Sequence, residues 1–301
     1  MHKRLLSAVT ASVALTGLLV VAAAPAQAIT GGTEDTASAA KFPNVGLLAF
    51  YDPDGRFRCS GTLVTPTVVL TAAHCTKGTL GKTIVSFDAV IDRAAPSNLP
   101  RATDDVGTGT STEGYQTPSK FTDVANNLTF YTGTASSHPR YSDFTDTDNW
   151  NDVAVIVLEV PVEGIAPAKL APRNYLQQFA QPRLNQTSFT LVGYGTEVRR
   201  ATSGPQRPTP MSYPIVRRYT DEIGQKLTPQ ILQINGNEHD TRAGGGTCFG
   251  DSGGPSFKNG YVTTVTSYAY TSNCRYLGGL QRVDIPVVQE WLATKGVTPA
   301  A

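Results

Sequence analysis

Charged residues are scarce in this sequence. They make up 16% of the 301 residues, against roughly a quarter in ordinary globular chains. Basic and acidic residues nearly balance, at 25 and 24. Because nucleic-acid binding depends on a strongly basic surface, there is no electrostatic reason to expect a nucleic-acid partner. Glycine and proline are plentiful, with 28 and 20 residues, and this combination favours an all-β protein with many turns.

Long apolar runs are missing except at the amino terminus. There, His2, Lys3 and Arg4 precede an apolar stretch at residues 5–24, and residues 26–28 form the Ala-Gln-Ala pattern that signal peptidase recognises. About 20 apolar residues would also suit a membrane anchor, but the Ala-x-Ala exit and the interrupting Ser and Thr residues favour cleavage. We therefore expect residues 1–28 to be a signal peptide and the mature chain to be secreted, extracellular and free of the membrane.

Removing residues 1–28 takes away two basic residues and no acidic one, so the formal charge changes from +1 to −1. The remaining length suits one large unit or two domains. Short β-rich runs recur in two series, at residues 45–158 and 189–283, with a Pro- and Ala-rich segment at 161–182 between them. Strands this short and frequent are typical of barrels or sandwiches. We interpret residues 29–165 as the first unit and residues 166–301 as the second.

Two other segments have a distinct character. Residues 92–127 are polar, contain several prolines and glycines and have no clear periodicity, which predicts a long surface excursion. The carboxyl end predicts the one convincing helix, with Asp284 as its cap, Pro286 in its first turn and Gly296 as its terminator.

Cysteines are few: the chain has Cys59, Cys75, Cys248 and Cys274. In an exported chain they are expected to form disulfides, and four cysteines allow three connectivities, among which their positions alone do not decide. The Cys-x-x-Cys spacing of zinc sites is absent, so a metal site is the lesser alternative. We expect neither a metal nor a cofactor.

The segment Gly-Asp-Ser-Gly-Gly-Pro at residues 250–255 supplies a candidate nucleophile. Acyl transfer needs an exposed nucleophile and donors for the oxyanion. Glycines on both sides of Ser252 allow a sharp turn that exposes its hydroxyl, and the amides of Gly250 and Ser252 can then point at one spot. An ordinary glycine-rich hairpin is the alternative for this segment taken by itself.

His74 is the candidate base. The chain has four histidines, of which His2 belongs to the expected leader, while His138 and His239 lie in polar, loop-like sequence. His74 follows an apolar strand directly. Asp152 is the candidate partner because it opens the apolar run at residues 153–158, where a buried carboxylate would need a strong partner such as an imidazole N–H. Three competing carboxylates lie upstream, namely Asp143, Asp146 and Asp148.

Taken together, these segments resemble the signature blocks of the chymotrypsin/trypsin family of serine proteases. The blocks lie at residues 59–64 and 70–75, 151–154 and 250–255, while residues 29–32 (Ile-Thr-Gly-Gly) resemble the family's mature amino terminus and residues 192–195 a strand of its second barrel. The resemblance covers essentially residues 29–296. It implies two packed six-stranded antiparallel β-barrels, with the active site in the cleft between them, and a monomer that acts on polypeptide substrates.

The resemblance also implies roles for particular residues. Ser252, His74 and Asp152 would form the catalytic triad, with the amides of Gly250 and Ser252 as the oxyanion hole. The disulfides would join Cys59 to Cys75 and Cys248 to Cys274. Cleavage before Ile29 would free an amine that pairs with Asp251, so the enzyme would be active on export without a zymogen stage.

Substrate preference is the least determined expectation. In this family the floor of the specificity pocket is the residue six before the nucleophile, here Gly246, where trypsin-like members carry aspartate. Ser267, Ala269 and Gly278 align with the pocket walls. We therefore expect apolar rather than basic residues before the scissile bond. The sequence departs from the family in the long separation of His74 and Asp152, which leaves any calcium loop there in doubt.

Three other functions fit parts of the sequence. The segment around Ser252 also matches the Gly-x-Ser-x-Gly elbow of α/β-hydrolases, but that fold needs a histidine after the serine and none follows Ser252. An aspartic protease would need a second Asp-Ser/Thr-Gly segment, which the chain lacks. A protease-like binding protein without catalysis usually lacks a triad residue, and here none is missing.

Overall fold

The computed structural model describes residues 29, 31–37, 39–94, 97–105, 107, 109–117, 119–198, 211–237 and 244–301. The expected signal peptide at residues 1–28 and His239 lie outside these residues.

Within the described residues the chain is mostly strand. In chain order the strands are β1 (Thr33–Glu34), β2 (Val45–Asp52), β3 (Gly55–Thr65), β4 (Val68–Thr71), β5 (Leu80–Ser86), β6 (Val90–Asp92), β7 (Lys120–Asp123), β8 (Leu128–Ser137), β9 (Ala154–Leu158), β10 (Lys169–Leu170), β11 (Ser188–Gly193), β12 (Glu197–Val198), β13 (Met211–Ser212), β14 (Ile215–Val216), β15 (Arg218–Leu227), β16 (Ile231–Asn235), β17 (Pro255–Lys258), β18 (Tyr261–Ala269) and β19 (Leu277–Arg282).

Two closed six-stranded antiparallel barrels form the molecule. The first has the strand order β5-β2-β3-β4-β9-β8 and closes through the pairing of β5 with β8. The second has the order β15-β11-β17-β18-β19-β16 and closes through β15 and β16. The predicted fold class is thus confirmed. Closure pairs the edge strands of each sheet with one another, which is how barrels of short strands avoid unpaired backbone groups.

Apolar side chains fill each barrel and the interface between them. Leu63, Val69 and Ile156 are fully buried in the first barrel, as are Leu191 and Leu280 in the second. A further cluster joins strands of both barrels to the carboxyl-terminal helix, and its members include Leu70, Val155, Val262, Val265 and Val288. Because this cluster packs the two barrels face to face, side chains at their facing ends are held at fixed separations.

The helices are short. The described part of the chain has a single α-helix, α1 (Pro286–Ala293), and 3-10 turns at Ala73–Cys75, Tyr175–Phe179 and Arg183–Gln186. Asp284 does not cap α1 as predicted, because its carboxylate is fully buried in an ion pair with Arg282 and accepts a hydrogen bond from the amide of Leu176. Within the described ranges, no helix has the length and apolarity needed to cross a bilayer.

The segment at residues 92–127 is more integrated than the expected surface excursion. Leu99, Ala102 and Tyr115 from this segment are buried in an apolar cluster with Leu47 and Ile84 of the first barrel. Strand β7 also adds to the edge of the barrel by pairing with β8. This packing was not predicted, because the apolar residues of the segment are isolated among polar ones and do not recur at a regular spacing.

The ends of the two expected units also interleave. Strand β1 pairs with β15 and so joins the sheet of the second barrel, although it lies in the expected first unit. The segment at residues 161–182 contains β10, which pairs with β18 in parallel. His138, expected in a polar loop, is instead buried against the ring of Trp291, with centroids 5.1 Å apart.

Candidate active site

The structure brings His74 and Asp152 into direct contact. His74 lies in the 3-10 turn that follows β4, and Asp152 lies just before β9, the neighbour of β4 in the sheet. The backbone N–H of His74 donates to Oδ1 of Asp152 at 2.8 Å, and Nδ1 of His74 lies 2.8 Å from Oδ2. Two contacts from one residue fix the orientation of the imidazole ring. Its other nitrogen, Nε2, lies 3.7 Å from Sγ of Cys75.

Asp152 is fully buried and is held by residues of the second barrel as well. The Ser267 hydroxyl donates to Oδ2 at 2.6 Å, and the amide of Asp152 donates to Oε1 of Gln281 at 3.0 Å. Trp150 Nε1 in turn donates to the oxygen of Ser267 at 3.0 Å. The contact of Ser267 with this carboxylate was not predicted, and neither was any role for Trp150 or Gln281, because all three depend on pairing between distant strands.

The competing carboxylates lie elsewhere. Asp143, Asp146 and Asp148 are exposed. Asp143 forms an ion pair with Lys77, and Asp146 accepts a hydrogen bond from the side-chain amide of Asn149 at 2.9 Å. No contact between any of the three and His74 is found in the described part of the chain.

Ser252 lies in a tight turn pressed against the first barrel. The amide of Ser60 donates to the carbonyl of Ser252 at 2.8 Å. Gly253 has φ of +76°, and a Cβ there would lie 2.0 Å from Oγ1 of Thr71. Only glycine fits this approach, which places Ser252 beside the strand end that leads into His74.

The hydroxyl of Ser252 is partly exposed. Within the described ranges no hydrogen bond joins it to His74, as expected for contacts between base and nucleophile that tighten when substrate binds. Gly250 has φ of +95°, a conformation that suits glycine and turns the amides of this loop.

Asp251, next to Ser252 in sequence, is fully buried. Its Oδ1 accepts a hydrogen bond from the amide of Gly195 at 2.7 Å, and its Oδ2 accepts one from Cys248 at 2.9 Å. Burial raises the pKa of Asp251 to about 7, although these amides and the positive charges of Arg58 and Arg218 act in the opposite direction. Ile29 is also fully buried.

Two disulfides brace the site. Cys59 is bonded to Cys75 and Cys248 to Cys274. Cys75 follows His74 directly in sequence, and Cys248 lies four residues before Ser252. The sulfurs of Cys59 and Cys75 also lie close to the ring of His74, but they are bonded to each other and so are not available as metal ligands.

A cavity of about 340 Å³ opens beside Ser252. Ser267 and Ala269, two of the predicted wall residues, line it together with Phe249 and Tyr268. Gly278, the third predicted wall residue, lines a narrower cavity next to it.

Comparison with known proteins agrees with this geometry. The family model described as Trypsin matches residues 29–292. The chain belongs to the trypsin family. Curated relatives include a trypsin of Saccharopolyspora erythraea, 29% identical over 73% of this chain and 79% of its own length. Another is a brachyurin of Leptuca pugilator, 28% identical over 82% of this chain and 91% of its own length. Like other members of the trypsin family, the protein is a serine endopeptidase, a hydrolase that acts on polypeptides.

Solved structures with the same fold include HL collagenase, with a TM-score of 0.58, 18% identity and coverage of 89% of this chain and 98% of that one. Human heparin binding protein has a TM-score of 0.56, 17% identity and coverage of 91% and 100%. Identities this low indicate the chymotrypsin-like fold alone. They give no support to the alternative of an inactive binding protein.

Proposed function

We propose that Ser252 is the nucleophile of this protease and forms an acyl-enzyme with the substrate. His74 takes the proton of the Ser252 hydroxyl and passes it to the leaving amine. Asp152 keeps the imidazole in the tautomer that accepts this proton at Nε2 and stabilises the positive charge that develops. The contact that carries the proposal is the 2.8 Å pairing of His74 Nδ1 with the buried Asp152, since it commits Nδ1 to the carboxylate and leaves Nε2 as the nitrogen that can accept a proton.

The amides of Gly250 and Ser252 bind the oxyanion in this proposal. Asp251 holds their loop in place, because its carboxylate accepts hydrogen bonds from the amides of Cys248 and Gly195. Donors positioned in this way contribute about 3 kcal/mol each to transition-state stabilisation in comparable sites.

Activation is proposed to follow from cleavage after Ala28. The freed amine of Ile29 would pair with Asp251, and the full burial of both residues supports this. Cleavage by signal peptidase would then release a secreted, monomeric enzyme that needs no further processing. The leader pattern at residues 1–28 supports secretion.

The preference for apolar substrates rests on Gly246 alone, which brings no charge to the pocket. A buried carboxyl, Glu222, lines the narrower cavity next to the one beside Ser252. The proposed preference for apolar residues before the scissile bond therefore holds only if Glu222 takes no part in binding the substrate.

Replacement of the nucleophile tests the proposed mechanism. Ser252→Ala should reduce hydrolysis of a protein substrate to background while the unfolding temperature stays unchanged. Thr117→Ala, which removes an exposed hydroxyl group elsewhere in the chain, is the matched control and should keep full activity. A Ser252→Ala protein that retained a tenth of the activity would show that another residue attacks the substrate.

A further inference from the structure

A second, narrower cavity adjoins the cavity beside Ser252. Ser252 lines the wider cavity, and Gly236, Tyr276 and Gly278 line the narrower one. Thr247, Ala269, Thr271 and Cys274 line both cavities. The narrower cavity has no room for a water molecule in this structure, so a substrate side chain bound beside Ser252 reaches it only if these shared walls move apart.

Glu222 lines the narrower cavity. It belongs to β15 and lies opposite Phe189 of β11. Its side chain is fully buried, and neither carboxyl oxygen has a hydrogen-bond partner among the described residues. Buried carboxyls without partners are costly, so proteins seldom keep them unless a ligand or a reaction uses them.

Gly246 cannot supply the charge of this pocket. A Cβ at this position would lie 2.8 Å from the carbonyl oxygen of Gly236 and 2.9 Å from that of Cys274. Backbone atoms therefore exclude any side chain at Gly246. The carboxyl group of the pocket comes instead from the strand on which Glu222 lies.

The surroundings of Glu222 favour a cationic ligand. Burial raises the pKa of Glu222 well above its ordinary value, and the negative charge of Asp251 raises it further, while the nearby amide of Thr247 acts in the opposite direction. In the described part of the chain Glu222 forms no ion pair. An ammonium or guanidinium group would supply both the missing donors and the missing positive charge, whereas an apolar side chain would leave both oxygens unpartnered.

We infer that Glu222 is the specificity-determining residue of this site, and that the pocket takes a lysine or arginine side chain before the scissile bond. The inference rests on the proposed function, because it places the substrate relative to Ser252. It reverses the preference expected from Gly246.

Peptide substrates that differ only in the residue before the scissile bond test this inference. The wild-type enzyme should cleave after lysine or arginine with higher kcat/KM than after leucine or phenylalanine. Glu222→Gln should lower kcat/KM for the basic substrates by about 100-fold, the scale of losing one partner of a buried charge pair, and change the apolar substrates little. Asp221→Asn, at the exposed neighbour on the same strand, should leave all of them unchanged. An apolar preference in the wild type, or equal losses for all substrates, would overturn the inference.

Binding of small ligands separates this inference from the mechanism. Benzamidine, an aromatic cation, should bind wild-type protein at least about tenfold more tightly by calorimetry than benzamide, its neutral counterpart. Ser252→Ala should keep that difference, since it leaves the pocket intact, and Glu222→Gln should lose it. If no substrate were cleaved but benzamidine bound selectively, the proposed function would fail and the inference would stand. Equal binding of the two compounds to a folded wild-type protein would contradict the inference, even if Glu222→Gln did not fold.

Discussion

Asp152 receives three hydrogen bonds at full burial. Its carboxylate accepts from the backbone amide of His74 at 2.8 Å and from the hydroxyl of Ser267 at 2.6 Å, and it pairs with Nδ1 of His74 at 2.8 Å. A carboxyl group buried to this degree is costly unless several donors replace its water. These partners also hold the imidazole in one orientation.

Replacing this carboxylate by an amide tests its role. Asp152→Asn should reduce kcat by about 10⁴-fold, because the amide favours the wrong tautomer of His74. Asp148→Asn, at an exposed aspartate nearby, is the control and should have normal kinetics. A loss smaller than tenfold for Asp152→Asn would mean that another group orients the base.

Two glycines leave room for the carboxylate of Asp251. A Cβ on Gly195 would lie 2.2 Å from Oδ2, and one on Gly193 would lie 2.2 Å from Oδ1. Gly195→Ala should therefore displace Asp251 and the adjoining oxyanion loop, with a drop of about 100-fold in kcat, comparable to the loss of one oxyanion donor. Steady-state kinetics on a peptide ester measures this.

The control for that prediction is Gly260→Ala. Gly260 has φ of +82° and no atom within 4 Å of the added Cβ, so its replacement costs roughly 1 kcal/mol of backbone strain without reaching the site. Normal kcat in Gly260→Ala with reduced kcat in Gly195→Ala would separate displacement of Asp251 from general loss of stability. Normal kcat in both would contradict this role of Asp251.

At the scale of residues, the sequence indicated where the chemistry lies but not what supports it. His74, Asp152 and Ser252 each stand in a short motif, so local sequence was enough to propose them. Gln281 and Glu222 have no motif around them. Their roles arise from strand pairings across long separations in sequence, and no pattern of neighbouring residues encodes such pairings.

At the scale of elements, the segment at residues 92–127 contributes to the core of the first barrel. Tyr115 is buried, and its ring lies 6.2 Å from that of Tyr51 and 5.9 Å from that of Phe121. Tyr115→Ala should lower the free energy of unfolding by about 3 kcal/mol, as for other large aromatic truncations in cores. Urea denaturation followed by tryptophan fluorescence measures the change.

Val124 offers the matched control within the same segment. It is 86% exposed, so Val124→Ala should change the free energy of unfolding by less than about 0.5 kcal/mol. If both substitutions had equal, small effects on the free energy of unfolding, the segment would be the surface excursion that its sequence suggested and not part of the core.

Some strands were easier to predict from the sequence than others, and the difference has a physical reason. Strands such as β4 and β9 are almost entirely apolar, because nearly all of their residues are buried, and these strands were found in the sequence. Strand β15, by contrast, carries charged residues at four of its ten positions, and its buried positions include Arg218 and Glu222. Buried charges of this kind do not produce the alternation of polar and apolar residues by which a half-buried strand is identified.

At the scale of the whole molecule, activation depends on where the mature chain begins. A free amine at Ile29 that pairs with buried Asp251 would have a pKa above the usual value of about 8 for an α-amino group, because the pairing favours its charged form. The amine is protonated below this pKa. The ordered active form is therefore favoured at neutral pH and lost as the pH rises through the raised pKa.

Two proteins test this account, one beginning at Ile29 and one with a single alanine before it. The first should be active and lose activity at alkaline pH. The second should have little activity at any pH, because the amine no longer reaches Asp251, whose pKa is raised to about 7 by burial when it lacks this partner. Equal activities would exclude the ion pair as the activating contact.

The central claim is that Ser252 attacks the substrate with His74 as its base. The most direct measurement is mass spectrometry of peptides after reaction of the folded enzyme with a fluorophosphonate. We predict one label per chain, on Ser252, and labelling that slows by about a thousandfold or more in His74→Ala. A label on another serine, or proteolysis that continues in enzyme whose Ser252 is fully labelled, would contradict the account.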